Sequence, residues 1–115
     1  MPITDLSPLQ IAGFAFEIVD DTLALARQEL AGSTDMTRGT IRISTDSHDA
    51  YQLQTLLHET CHAIQFTYLE GFTVDHHIIA AMSQGIFQLL RDNPKLMDAI
   101  SALDQEVCNG EMHSV

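Results

Sequence analysis

The sequence predicts an α+β fold: a small antiparallel sheet of about three strands, packed on one long helix and two further helices. Two observations lead there. The segment Thr40–Ser44 alternates, with Ile41 and Ile43 pointing one way and Arg42 and Ser44 the other, which is the two-residue period of a half-buried strand. From about residue 47 onward the apolar residues recur three and four apart, the period of helices that bury one face.

Taken in order, Ile11–Val19 is apolar and rich in aromatic and β-branched residues and reads as a strand, with Asp20 and Asp21 as a turn after it. Leu23–Leu30 has the composition of a helix but reads equally as the outgoing strand of a hairpin, and a helix over most of 8–30 with Pro8 in its first turn is a third option. The strand reading is preferred. Gly13 inside a long helix would cost about 1 kcal/mol relative to Ala, and the strand that follows needs partners. Gly32–Asp35 ends the preceding strand, and Met36–Gly39 is a hairpin turn into Thr40–Ser44. Ser47 or Asp49 caps a helix running through Tyr51 to about Tyr68, with Leu53, Leu57, Cys61, Ile64 and Tyr68 as its apolar stripe. Glu70 and Gly71 end it, and Thr73 caps the next helix, whose apolar face is Ile79, Met82, Ile86, Leu89 and Leu90. Asn93 and Pro94 stop that helix and start the last, with Leu96, Ile100, Leu103 and Val107 as its stripe. Residues 108–115 read as a frayed tail, and the whole as one domain from end to end.

Composition narrows the class of function. The chain has 115 residues, 45% of them hydrophobic and 18% charged, enough for one domain with a modest core and too ordinary for wholesale disorder. Sixteen acidic side chains against five basic ones give a net charge of −11, which repels phosphate backbones and argues against nucleic acid as a partner. Cys61 and Cys108 cannot build a disulfide framework. No leader-like segment opens the sequence, and no apolar run approaches the ~20 residues that span a bilayer. A cytoplasmic protein with no membrane contact is expected.

The segment that carries chemistry is His58-Glu59-x-x-His62, on the best-defined helix. Residues four apart on a helix lie about 40° from each other around the axis and one turn apart, so both imidazoles reach one metal ion. Zn2+ suits neutral imidazole nitrogens. Glu59, about 100° round from His58, misses the ion but reaches a water on its open side, as general base for attack on a carbonyl and then as proton donor to the leaving amine. For the third ligand, Glu70, Asp75, His76 and His77 are candidates. His76 is preferred, although an antiparallel helix pair would put Ala80 level with His62. His77 lies about 100° from His76 and cannot share its role, so one of the two reads as an outer or substrate-polarising group. Cys61 falls on the apolar stripe and reads as a small buried side chain. His48 and His113 read as solvated, Tyr51 and Tyr68 as amphipathic helix residues, and Arg42 has no assigned role.

Leu56–Ile64 resembles the active-site helix of zincin metallopeptidases. The wider arrangement is similar to small proteins of phages and prophages assigned as metallopeptidases, over about residues 11 to 97. Gly39–Ile43 matches their Gly-x-Ile-x-Ile strand, Thr55–Ala63 their metal helix, and Leu90–Pro94 their Leu-x-Asp-Asn-Pro helix end. The resemblance implies a minimal zincin-like domain holding zinc through His58, His62 and a third group, with Glu59 catalytic and a peptide or protein as substrate. That substrate is expected to be narrow in range, because the chain is too short for the second lobe of most zincins. Where many of those proteins place a glutamate in the second helix this chain has Ala80, which leaves His76 as the natural replacement. Zincins commonly lay the strand before the metal helix along the cleft, which implies that Thr40–Ser44 pairs with an extended peptide. Two rival readings stand beside this one. One is a structural or interaction module whose zinc is closed off by a fourth protein ligand such as Cys61, Asp75 or His77. The other is a metal-free accessory protein that keeps the fold alone.

Overall fold

The computed structural model describes residues 2–69 and 74–107. After a 3-10 turn at Ile3–Leu6 come strands β1 (Leu9–Ile11) and β2 (Phe14–Asp20), helix α1 (Thr22–Arg27), strands β3 (Gly32–Asp35) and β4 (Thr40–Ile43), and helices α2 (Asp49–Leu69), α3 (His76–Asp92) and α4 (Pro94–Val107). The chain divides into two compact units, Met1–Gln84 and Gly85–Val115. The first holds the sheet, α1, α2 and the start of α3; the second holds the rest of α3 and α4. No helix among the described residues is long and apolar enough to cross a membrane.

The α+β class holds, but the sheet is neither three-stranded nor purely antiparallel. It has four strands in the order β1-β2-β4-β3. The apolar run Ile11–Val19 is not one strand, because the chain folds back at Ala12 and Gly13, which both take left-handed backbone angles (φ 52° and 86°). With Ile11 facing Phe14, this is a two-residue hairpin turn whose twist matches that of its strands. The two inner strands, β2 and β4, run parallel, with Ile18 beside Ile41. A parallel pair cannot be joined by a tight turn. The chain from Asp20 to Thr40 therefore crosses over through α1 and β3, and this overturns the strand reading of Leu23–Leu30 in favour of its helix propensity. Helix α1 ends in the paired bonds of a Schellman motif, Leu30 N–H to Leu25 O (2.9 Å) and Glu29 N–H to Ala26 O (3.1 Å), with Glu29 at φ 58°. The hairpin β3–β4 stands as the alternation indicates: Ile41 and Ile43 are fully buried, and Asp35 Oδ1 accepts from the N–H groups of Thr37 and Arg38 in the turn.

One apolar cluster fills the space between the sheet and α2. It contains Ile3, Ile11, Phe16, Ile18, Ile41, Ile43, Leu56 and Ala63, with Leu6, Leu9, Ala12 and Met36 around it. The face of α2 turned inward is Gln52, Leu56, Glu59 and Ala63. The stripe expected from apolar spacing points elsewhere: Leu53, Ile64 (42% exposed) and Tyr68 (68%) stand in solvent. Two polar side chains lie on the inward face because each has partners. Gln52 Nε2 donates to Ser47 O at 2.7 Å and Thr45 O at 3.3 Å, and Glu59 is held by Thr34 as described below. Among the described residues no buried side-chain nitrogen or oxygen is left without a hydrogen bond, so the usual penalty for burying polar groups is offset. His48, rather than Ser47 or Asp49, caps α2: its carbonyl accepts from Tyr51 and Gln52 N–H, and its Nδ1 accepts from Tyr51 N–H at 3.3 Å. Helix α3 buries Ile79 and Ser83, not Met82, and the stripe of α4 at Leu96, Ile100 and Leu103 is exposed. Glu70, Gly71 and Thr73, and the tail 108–115, lie outside the described residues, as does the side chain of Val107.

Arg42, to which sequence reading gave no role, ties the outer face together. Its Nε donates to Ser33 Oγ on β3 (2.8 Å), Nη1 to Asp21 Oδ2 at the start of α1 (3.0 Å), and Nη2 to Gln28 Oε1 at its end (3.2 Å). The pair with Asp21 is partly solvent-screened, so the fork is worth about 1–2 kcal/mol in all. Arg42→Met, which keeps the stem, is expected to lower the unfolding free energy by that amount, seen in urea as a lower midpoint with an unchanged slope. A shift below about 0.3 kcal/mol would remove the fork from any account of stability.

Candidate metal centre

Helix α2 presents His58 and His62 one turn apart, and α3 begins at His76, which it brings against them. The α3 terminus is fixed by Asp75, whose Oδ1 accepts from His77 N–H at 2.8 Å while its carbonyl accepts from Ile78 and Ile79 N–H. His76 meets both rings from the first turn of α3, so the antiparallel register expected to put Ala80 level with His62 does not hold. Ring centroids are 4.8 Å apart for His58–His62, 4.8 Å for His58–His76 and 5.4 Å for His62–His76. One ligand atom from each of the three lies within 4.8 Å of the others, close enough to bind a metal ion. His58 Nε2 and His62 Nε2 are 3.1 Å apart. Ligand bonds of 2.0–2.1 Å in a tetrahedron separate two nitrogens by about 3.3 Å, so this pair is already at the spacing a single small ion requires.

Burial of His58, reinforced by the positive charge its neighbours His62 and His76 would carry, holds its imidazole below the ordinary value. The ring is then neutral at neutral pH, with a lone pair free for a metal. Cys61 is a free thiol, and burial raises its pKa, so it stays protonated and inert. Cys61, Asp75 and His77 are not part of the three-histidine group, and Asp75 uses its carboxylate on the α3 cap. Glu70 and His113 lie outside the described residues.

Glu59 is on the inward face of α2 and 8% exposed. Thr34 Oγ1 donates to Glu59 Oε1 at 2.7 Å and approaches Glu59 O at 3.1 Å. Two residues back on β3, Gly32 passes so close to α2 that an added Cβ would meet Thr55 Cγ2 at 2.9 Å and Glu59 Cγ at 3.2 Å. Two clefts of about 340 and 370 Å³ open on either side of His76. His58, Tyr51, Gln54 and Ser83 line the first, and His62, Met36, Gln65 and Phe66 the second; Gly32 and Glu59 line both. The clefts therefore follow β3, the outer strand on this side of the sheet. In the β3–β4 register, Ser44 N–H bonds Ala31 O. The alternation of antiparallel pairs then turns the backbone groups of Gly32 and Thr34 away from β4, toward the open edge.

Comparison with family models, with curated proteins and with solved structures finds no match.

The structure brings His58, His62, His76 and Glu59 into one place, and adds Tyr51 to the wall. Tyr68 lines neither cleft, and His48 serves α2 as a cap. One expectation is overturned. Thr40–Ser44 cannot pair with a peptide along the cleft, because β4 lies between β2 and β3 and its backbone is already bonded on both sides. The strand beside the histidines is β3. Sequence reading found β3 but missed Gly32 and Thr34, because nothing local to residues 32–35 signals contact with a helix 25 residues on.

His58→Ala, His62→Ala and His76→Ala are each expected to weaken binding of an added divalent metal at least tenfold, while His77→Ala leaves it within twofold; competition with a chromophoric chelator measures both. Acid acts on the metal-free protein through His58. Its folded-state pKa lies below its unfolded value of 6.5, so the unfolded chain binds more protons in between. Stability present above pH 6.5 is thus expected to fall as pH drops toward the folded value, and His58→Gln should flatten that slope in melting curves.

Proposed function

We propose that this chain is a small zincin-like, zinc-dependent hydrolase of peptide or amide bonds. The observation that carries the reading is the convergence of His58, His62 and His76 at the meeting of two clefts that Glu59 also lines. Three imidazole nitrogens suit zinc, and His58 is kept neutral by its surroundings. The same three imidazoles would hold the ion. Bound there, zinc supplies Lewis acidity, polarising a carbonyl and making a water easier to deprotonate.

The residues of the chain do the rest. Glu59 takes a proton from the water as its oxygen bonds to the carbonyl carbon, and gives that proton to the nitrogen as the carbon–nitrogen bond breaks. The open backbone groups of Gly32 and Thr34 hold an extended peptide beside the histidines, in place of the strand first expected to do so. No lysine or arginine is among the described residues lining the clefts, so no cation is present to seat a terminal carboxylate. This favours an internal bond in a neutral or basic segment, as does the net charge of −11. A closed structural zinc site would need a fourth protein ligand, and the group among the described residues stops at three.

The test uses the full chain stripped with chelator, reloaded with one equivalent of zinc and incubated with a library of internally quenched peptides. Zinc is expected to restore cleavage. Glu59→Gln should retain one zinc per chain and lose at least about a hundredfold in rate. Cleavage that survives in Glu59→Gln, or zinc that is lost with it, would overturn the assignment of the base.

A further inference from the structure

We propose that Thr34 is a positioning residue for Glu59: its hydroxyl fixes one carboxylate oxygen so that the other is presented to the cleft. The inference rests on the hydrolase reading for its purpose, but its physical content is separate. Thr34 has a single hydroxyl proton. The 2.7 Å approach to Glu59 Oε1 is the spacing of a charge-assisted bond, and shorter than the 3.1 Å to Glu59 O. The two partners are 25 residues apart, one on the outer strand and one on the metal helix, so the bond joins two elements.

The second oxygen of Glu59 makes no hydrogen bond to any described residue. It is also not enclosed, since no buried side-chain oxygen lacks a partner. Oε2 therefore meets solvent although the residue as a whole is buried, and both clefts run past Glu59. Gly32 completes the arrangement. On the same face of β3, it leaves room for the Thr55 methyl and the Glu59 stem to lie against the strand. The stem is confined by Gly32 and the head by Thr34, so the carboxylate has one orientation. A general base gains rate from being held in one orientation, and this gain appears in turnover rather than in substrate affinity.

The experiment compares zinc-loaded wild type, Thr34→Ser, which keeps the hydroxyl, and Thr34→Val, which keeps the shape. Two readouts are taken. The first is hydrolysis of a peptide that the wild type cleaves. Thr34→Val should lower kcat about tenfold or more with KM within about twofold and zinc still at one per chain, and Thr34→Ser should recover most of the rate. The second does not need activity. The carboxyl carbon resonance of Glu59, assigned by its disappearance in Glu59→Gln, should move or broaden in Thr34→Val and stay in place in Thr34→Ser. An unmoved resonance in Thr34→Val, or a kcat equal to that of wild type, overturns the proposal. If the wild type cleaves nothing, the hydrolase reading fails alone and the resonance still decides whether Thr34 holds Glu59. If Thr34→Val does not fold, Thr34→Ala is read by the same two criteria.

Discussion

The close passage of β3 over α2 is the contact on which the rest depends. A helix and a strand approach this closely only where side chains make way, and here Gly32 does so on the strand, against Thr55 and Glu59 of the helix. The approach places Thr34 against Glu59 and carries the edge of the sheet past the two helix-borne imidazoles. Wider spacing would leave the histidines on the helix but remove the strand from beside them, and the buried carboxylate would lose the hydroxyl that makes its burial tolerable.

That contact also explains an apparent contradiction in α2. Its more apolar stripe faces solvent, while a glutamine and a glutamate face the core. Burying the stripe would require turning the helix by about 130°, which would carry His58 and His62 away from β3. The orientation present is stabilised by Leu56 and Ala63 in the core and by polar groups that find partners: Gln52 with the backbone before the helix, Glu59 with Thr34. Each apolar side chain left outside forgoes up to about 1.5–3 kcal/mol of burial. The arrangement therefore favours the placement of the imidazoles over maximum burial of α2 itself.

What could be read from the sequence was local. The β3–β4 hairpin, the long helix and its two histidines follow from spacings of two, three and four residues. The β1–β2 hairpin was missed as a hairpin because one half of its turn is Ala12, an unusual residue for a left-handed conformation. Helix α1 was misread because its identity depends on a parallel pairing between β2 and β4, two segments separated by the element in question. The inward face of α2 was misread for the same kind of reason. Whether Gln52 or Glu59 is inside depends on partners elsewhere in the chain, and apolar periodicity carries no trace of them. His76 could be nominated as a ligand from the sequence, whereas Thr34, an ordinary residue in an ordinary strand, could not.

The outer strand has one further consequence. An unpaired sheet edge invites the same edge of another molecule, and long apolar edges grow into fibres. Here the edge strand beside the histidines is only Gly32–Asp35, small and polar with a carboxylate at its end, in a chain whose net charge of −11 makes copies repel one another. It is too brief and too hydrophilic to template stacking of its own kind, yet it still offers the donors and acceptors that a single visiting strand can use.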